Sequence, residues 1–165
     1  MTPEEKVLVQ KLHSLFSVEF CLYFTTHSAH WGITGVNFFE IHSMLDEQYK
    51  QIQEVIDEVA EKIRQLDAVS PYDLPKVVKD GLDAGIIDCH NFSAAHMAKA
   101  LMVNHENAID HIQACIKAAK DAGREDFVNY LGGLWEKHGK MRWMLRSTAN
   151  EIQTRPFNGE VAESG

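Results

Sequence analysis

The chain is short of basic charge, of paired cysteines and of long apolar runs. Its 165 residues carry 16 Lys and Arg against 24 Asp and Glu, a formal net charge of −8. Nucleic-acid binding without sequence preference depends on neutralising phosphates with Lys and Arg, so this balance disfavours it. It suits a surface that attracts cations. The three cysteines, Cys21, Cys89 and Cys115, are an odd number, lie far apart and lack CxxC or metal-knuckle spacing. Reduced thiols are the simplest account, and a cytoplasmic location is expected. The start MTPEEKVLVQ is polar and acidic rather than a signal peptide, and no run approaches the roughly 18 apolar residues of a membrane helix. No membrane partner is therefore expected. Hydrophobic content of 45% and charged content of 24% are ordinary for a globular domain. The length suits a single domain over residues 1–165.

Proline is scarce as well, which leaves long stretches free to be helical. Thr2-Pro3-Glu4-Glu5 opens a first helix, with Thr as N-cap, Pro at the first position and acids in the first turn. Leu8, Leu12, Leu15, Phe16, Leu22 and Tyr23 carry it to about Trp31, where Gly32 and Gly35 permit a turn. A second helix is expected from Asn37 as N-cap, with Glu40 in the capping-box position, to about Leu66. Phe38, Ile41, Leu45, Ile52, Val55, Val59, Ile63 and Leu66 form its apolar stripe. Residues 67–90 contain Pro71, Pro75, Gly81 and Gly85, with a short helix from Leu74 to about Leu82 capped by Asp73. So long a connection spans a bundle and makes the second and third long helices parallel. A third long helix runs from Phe92 or Ser93 to Ala122 with Gly123 as C′, and a fourth from Glu125 to Gln153. The residues from 154 onward, polar and short, read as a flexible tail. The fold class is all-α, a four-helix bundle whose long crossover carries a short helix.

Nitrogen and oxygen ligand types suited to a divalent ion gather in the stretch His30 to Glu61. His42 and Asp46 are four residues apart on the second helix, and so are Asp57 and Glu61. All four fall within about 100° of the helix circumference, beside the apolar stripe. His42 and Asp57 are nevertheless about 22 Å apart along the axis, whereas metal–ligand bonds are about 2 Å. One ion cannot join them within a chain. An antiparallel pairing of two copies of the helix about a two-fold axis near Gln51 and Ile52 would bring His42 and Asp46 of one chain to Asp57 and Glu61 of the other. His30 would join from the end of the first helix. On residues alone, a solvated acidic helix face describes the same spacing.

The stretch YFTTHSAHWGITGVNFFEIHSMLDEQYKQIQEVIDEVAEKIRQL resembles the Dps family of mini-ferritins. The pattern HW, a Gly-containing turn, NFF, H-x3-D-E-Q-Y and D-x3-E carries the likeness, with WMLR at Trp143 to Arg146 adding to it. The resemblance implies a ferritin-like bundle assembled as a hollow dodecamer. It implies ferroxidase centres at two-fold interfaces, with His30, His42 and Asp46 from one chain and Asp57 and Glu61 from its partner. Fe(II) would be oxidised there, preferably by hydrogen peroxide, two irons per site, and stored as ferric mineral. Zinc is a possible competitor for such ligands. Trp31, next to His30, would be an oxidisable neighbour or else a core or interface aromatic. An acidic pore would use Asp121, Glu125 and Asp126, although Asn129 stands where the family often has Asp.

The chain departs from the family's DNA-binding members: no lysine-rich tail precedes the first helix, and the C-terminal segment carries Glu160 and Glu163 but no Lys. Direct DNA binding is not expected. Nor is there a Glu-x-x-His motif, the mark of a di-iron site inside a single bundle. His13, His90, His96, His105, His111 and His138 suggest no ligand set, and His27 reads as a surface residue or a neighbour of His30.

Overall fold

The structure, a computed structural model, describes residues 1–89 and 93–154, with side chains described through 149. His90 and the tail from residue 155 lie outside the described residues. Five helices follow in order: α1 (Pro3–Gly32), α2 (Phe38–Gln65), α3 (Leu74–Asp83), α4 (Ala94–Asp121) and α5 (Glu125–Thr154). Among the described residues there is no strand.

Most helix ends are set by the expected residues. Thr2 caps α1 in a reciprocal box, Oγ1 accepting from the Glu5 amide at 3.1 Å while Glu5 Oε2 accepts from the Thr2 amide at 2.9 Å. Asp73 caps α3 through the Lys76 amide, and Ser93 caps α4 through the His96 amide. Gly123, at φ +67°, follows the α4 cap, and the Arg124 amide reaches back to the Ala119 carbonyl. The start of α2 differs from expectation. Asn37 takes the left-handed conformation (φ 61°, ψ 25°) and does not cap the helix with its side chain, so there is no capping box with Glu40. The turn needs a positive φ there, which Asn tolerates better than most residues.

Residue pairs across the bundle fix its directions. His30 near the end of α1 meets His42 near the start of α2. Thr25 of α1 meets Asn104 of α4, and His105 of α4 meets His138 of α5. On α2, Met44 meets Thr148 and Glu58 meets Tyr130 of α5. Helix α1 thus runs opposite to α2, and α5 runs opposite to both α2 and α4. That makes α2 and α4 parallel, as the long crossover requires. Asn104 pins the crossover: its Oδ1 accepts from the Ile87 amide at 2.8 Å and its Nδ2 donates to the Ile87 carbonyl at 3.0 Å.

By length and composition α1 is apolar enough to cross a membrane, contrary to the expectation that no segment would be. Here its apolar side is covered by α2, α3 and α4. Leu8, Leu12, Leu15, Val18, Leu22 and Ala29 are fully buried, the behaviour of a bundle's central helix. The core falls into two apolar clusters, one around Leu22, Leu45, Leu101 and Met141, the other around Leu12, Val59, Ile112 and Phe127. Where they meet lie Glu19, Gln48, His105 and His138, one from each long helix, all buried. The three cysteines are free and buried, and burial pushes the Cys115 thiol up to about 12.

Two predictions rest on this packing. At Gly81 of α3, an added Cβ would lie 2.4 Å from Cys21 Sγ and 2.6 Å from the Ser17 carbonyl oxygen. Gly81→Ala would gain about 1 kcal/mol of helix propensity but force α3 off α1, an overpacking cost of roughly 1–3 kcal/mol. The expected net result is a lower melting temperature in thermal denaturation, partly restored by adding Cys21→Ala. The second concerns His105, whose pKa burial drives well below its ordinary 6.5, helped by the neighbouring His138 and Arg142. Glu19 on α1 and Gln48 on α2 are the other polar groups of that layer. The unfolded chain therefore takes up a proton that folded His105 refuses. In chelator-treated protein this contribution to stability is complete above pH 6.5 and falls away below it. The loss should be smaller in His105→Asn, as urea titrations at pH 5 and pH 7.5 would measure.

Candidate metal centre

His30 lies in the last turn of α1 and His42 in the second turn of α2. The turn between them, with Gly35 at φ +94°, folds the two helices back so that the imidazoles stack with centroids 3.7 Å apart. Each ring then bonds to the other residue's backbone: His30 Nδ1 donates to the His42 carbonyl at 2.9 Å, and His42 Nδ1 to the His30 carbonyl at 2.8 Å. A carbonyl oxygen only accepts, so each Nδ1 carries the proton and each neutral ring keeps a bare Nε2. That is how a protein holds an imidazole for a metal: one nitrogen anchored, the other offered.

Asp46 stands one turn beyond His42. Its Oδ1 accepts from the Tyr49 hydroxyl at 3.1 Å and its Oδ2 pairs with Lys50 at 2.6 Å. Lys50 above all, with Tyr49 assisting, holds the Asp46 carboxyl below the usual range, so it is ionised. His27 is half-buried beside this group rather than a surface residue. It stacks on Tyr49 with ring centroids 3.8 Å apart and meets Trp31, tilted by 36°, at 4.0 Å, with the Tyr23 hydroxyl 3.2 Å from Nδ1. Its pKa is lowered, first by burial and then by His30. Around the centre the surface is apolar: Trp31 is 62% exposed and Phe39 74%, with Phe24, Val36 and Phe38 also exposed.

Asp57 and Glu61 lie farther along α2, exposed, and among the described residues no hydrogen bond or ion pair engages either. No three His, Cys, Asp or Glu side chains of the described chain form a metal set. The fold thus brings His30, His42 and Asp46 to one end of α2 and leaves Asp57 and Glu61 apart from them. Of the acids at the α4–α5 junction, Asp121 pairs with Lys117 at 2.7 Å and Asp126 with Arg124 at 2.8 Å, while Glu125 is exposed.

Reading the sequence for ligand spacing passes over Glu19, Gln48, His105 and His138. A signal for three of them is present in the register of the stripes. Glu19 fills the slot between Leu15 and Leu22, Gln48 that between Leu45 and Ile52, and His138 that between Leu134 and Met141. In each helix the apolar series runs 4, 3, 4, 3 straight through the polar residue.

Residues 9–154 match the family of ferritin-like domains. DNA protection during starvation protein 2 of Bacillus anthracis is 26% identical over 132 residues, which cover 79% of this chain and 88% of that protein. Dps from Thermosynechococcus elongatus superposes with a TM-score of 0.83 at 22% identity, covering 99% of this chain and 98% of that one. A Vibrio cholerae O1 structure, described as a Dps protein and a member of a broad superfamily of ferritin-like diiron-carboxylate proteins, gives a TM-score of 0.81 at 23% identity. It covers 87% of this chain and 89% of that one. With its bundle directions, its crossover helix and its histidine pair, the chain belongs to the ferritin-like family, where the Dps proteins are its relatives.

Proposed function

We propose that this protein is a ferroxidase that oxidises Fe(II) at sites shared between two subunits and stores the ferric product inside a cage of the Dps type, a dodecamer. The observation that carries this is the reciprocal anchoring of His30 and His42, which offers two bare Nε2 atoms beside the ionised Asp46. Asp57 and Glu61 of a second copy complete the set. Pairing α2 antiparallel to its copy matches the two ligand pairs in a single symmetric contact. The exposed Trp31, Phe38 and Phe39 supply apolar surface for that contact.

Iron is the substrate. The imidazoles bind Fe(II) without adding charge, and the carboxylates favour Fe(III) as it forms. Two Fe(II) give two electrons to one hydrogen peroxide, which takes two protons and leaves as two waters, so no hydroxyl radical is released. Trp31, in ring contact with His27, is placed to reduce an oxidant that escapes. Among the described residues Glu125 is the acid at the α4–α5 junction without an own-chain cation, and so the best of the three for a pore that attracts Fe(II). The net charge of −8 speaks against a surface that binds DNA directly.

The reading is tested by loading assembled protein with Fe(II) under nitrogen and adding one hydrogen peroxide per two irons, with absorbance and spin trapping. Fast oxidation with little trapped radical is expected. Asp57→Ala should slow it towards the rate of free iron, and Zn(II) should compete. Unchanged oxidation in Asp57→Ala overturns the assignment. Sharing between chains has its own test. Subunits with His30→Ala and His42→Ala are mixed and reassembled with subunits bearing Asp57→Ala and Glu61→Ala. Each parent is inactive, whereas random pairing should restore about one quarter of the sites, because half of the dimers are mixed and each has one intact site. No recovery in a correctly assembled mixture would place the ligands elsewhere.

A further inference from the structure

One face of α1 changes character halfway along. Gln10, Ser14, Ser17, Phe24 and Trp31 are separated by four, three, seven and seven residues, so they share a single stripe. The first half of the stripe borders a hollow of about 520 Å³. Helix α1 lines it with Val9, His13 and Ser17, and the crossover and α3 with Pro71, Tyr72 and Val77. The lining carries little free charge. Lys76 pairs with Asp80 and Asp73 caps α3, while burial above all holds His13 below its ordinary 6.5, so its ring is neutral at pH 7. The second half of the stripe protrudes: Phe24 is 59% exposed and Trp31 62%. At the rim of the hollow Val69 and Tyr72 are exposed as well.

The levels of hollow and aromatics are related. His30 stands level with His42, and Leu12 shares a cluster with Val59, which fixes α1 against α2 along their length. Turning a second copy about a two-fold axis near Gln51 and Ile52 then places the mid-point of α1 between Phe20 and Cys21. Residues equally far from that point come level across the two chains. Trp31 meets the level of Gln10 of the partner subunit, and Phe24 that of Ser17 of the partner subunit. Gln10 and Ser17 are both lining residues of the hollow.

We propose that the hollow is the receptor for a second copy of this chain, taking Trp31 and Phe24 of the partner subunit, with the exchange made twice in each pair. The proposal rests on the two-fold pairing of the shared centre and adds to it a contact away from the ligands. An isologous contact needs a surface that is its own complement, and α1 is recessed in one half and protrudes in the other. Aromatic side chains seated in pockets are the anchors that carry most of the energy of such interfaces. Trp31 follows His30 directly, so seating the indole also sets the end of α1 against the second copy.

Gln10→Cys and Trp31→Cys in one chain test the register. Within a chain these positions lie about 31 Å apart along α1, so a short bifunctional maleimide can join them only between subunits. Assembled protein should give mostly closed dimers on denaturing gels, because a two-fold pair uses up both links, and neither single variant should give the band. A ladder of higher species, or no cross-link, overturns the proposal. If the double variant does not assemble, Trp135→Phe/Trp143→Phe protein keeps Trp31 as its sole tryptophan. Its emission should shift to the blue and resist acrylamide on assembly, and Ser14→Arg, which fills the hollow, should reverse both. A Trp31 that stays open to acrylamide in assembled protein, or is equally shielded with and without Ser14→Arg, overturns the proposal. The subunit-mixing assay separates the two readings. Recovered activity there with failure here removes the hollow and keeps the shared centre, whereas failure of both removes the two-fold pairing itself.

Discussion

The whole arrangement depends on α1 being enclosed by α2, α3 and α4. A helix so placed must be apolar on most of its surface, and α1 is apolar enough to pass for a membrane span. Its enclosure sets its neighbours' composition in turn: α3 comes close enough to need Gly81 against Cys21, and α4 contributes Asn104 to hold the returning crossover and Thr25 together. With α1 fixed along its length, its last turn delivers His30 to the first turns of α2. Helix packing and the meeting of His30 with His42 are consequences of the same constraint, because the histidine pair closes only if α1 and α2 lie side by side up to their ends.

Much of this was legible in the chain. The spacing of three and four residues marks each helix, Thr2, Asp73 and Gly123 mark ends, and a connection with two prolines and two glycines marks the crossover. Each rests on local chemistry, which sequence carries directly. Asn37 is the N-cap position of α2 as read, but its left-handed backbone takes the place of the side-chain cap and of the capping box with Glu40, a choice that only the geometry of the turn makes. The buried polar layer was missed for a related reason. Glu19 in isolation reads as a solvated acid; its depth emerges only when the stripe is counted through it. The candidate ligand residues stood out by type and spacing. The reciprocal bonds that set their tautomers belong to tertiary structure, and no pattern of residues announces them.

The histidine pair and the polar layer solve opposite problems. The first lies at the surface, half-exposed and ringed by aromatics, its imidazoles oriented by backbone carbonyls that need no extra side chains. The second lies in the interior, where Glu19, Gln48 and two imidazoles are held by packing among all four long helices. Charge at the surface is cheap to hold and easy to exchange. Charge in the core is difficult to place and, once placed, difficult to remove.

The pairing of Asp46 with Lys50 has a consequence for the proposed shared centre. An ammonium sits on the carboxylate at 2.6 Å. If a metal ion binds there it must displace that ammonium, so binding would be a swap of one cation for another rather than a simple addition. The lysine would then act as a turnstile, returning to the carboxylate when the ion leaves, without any movement of the helices.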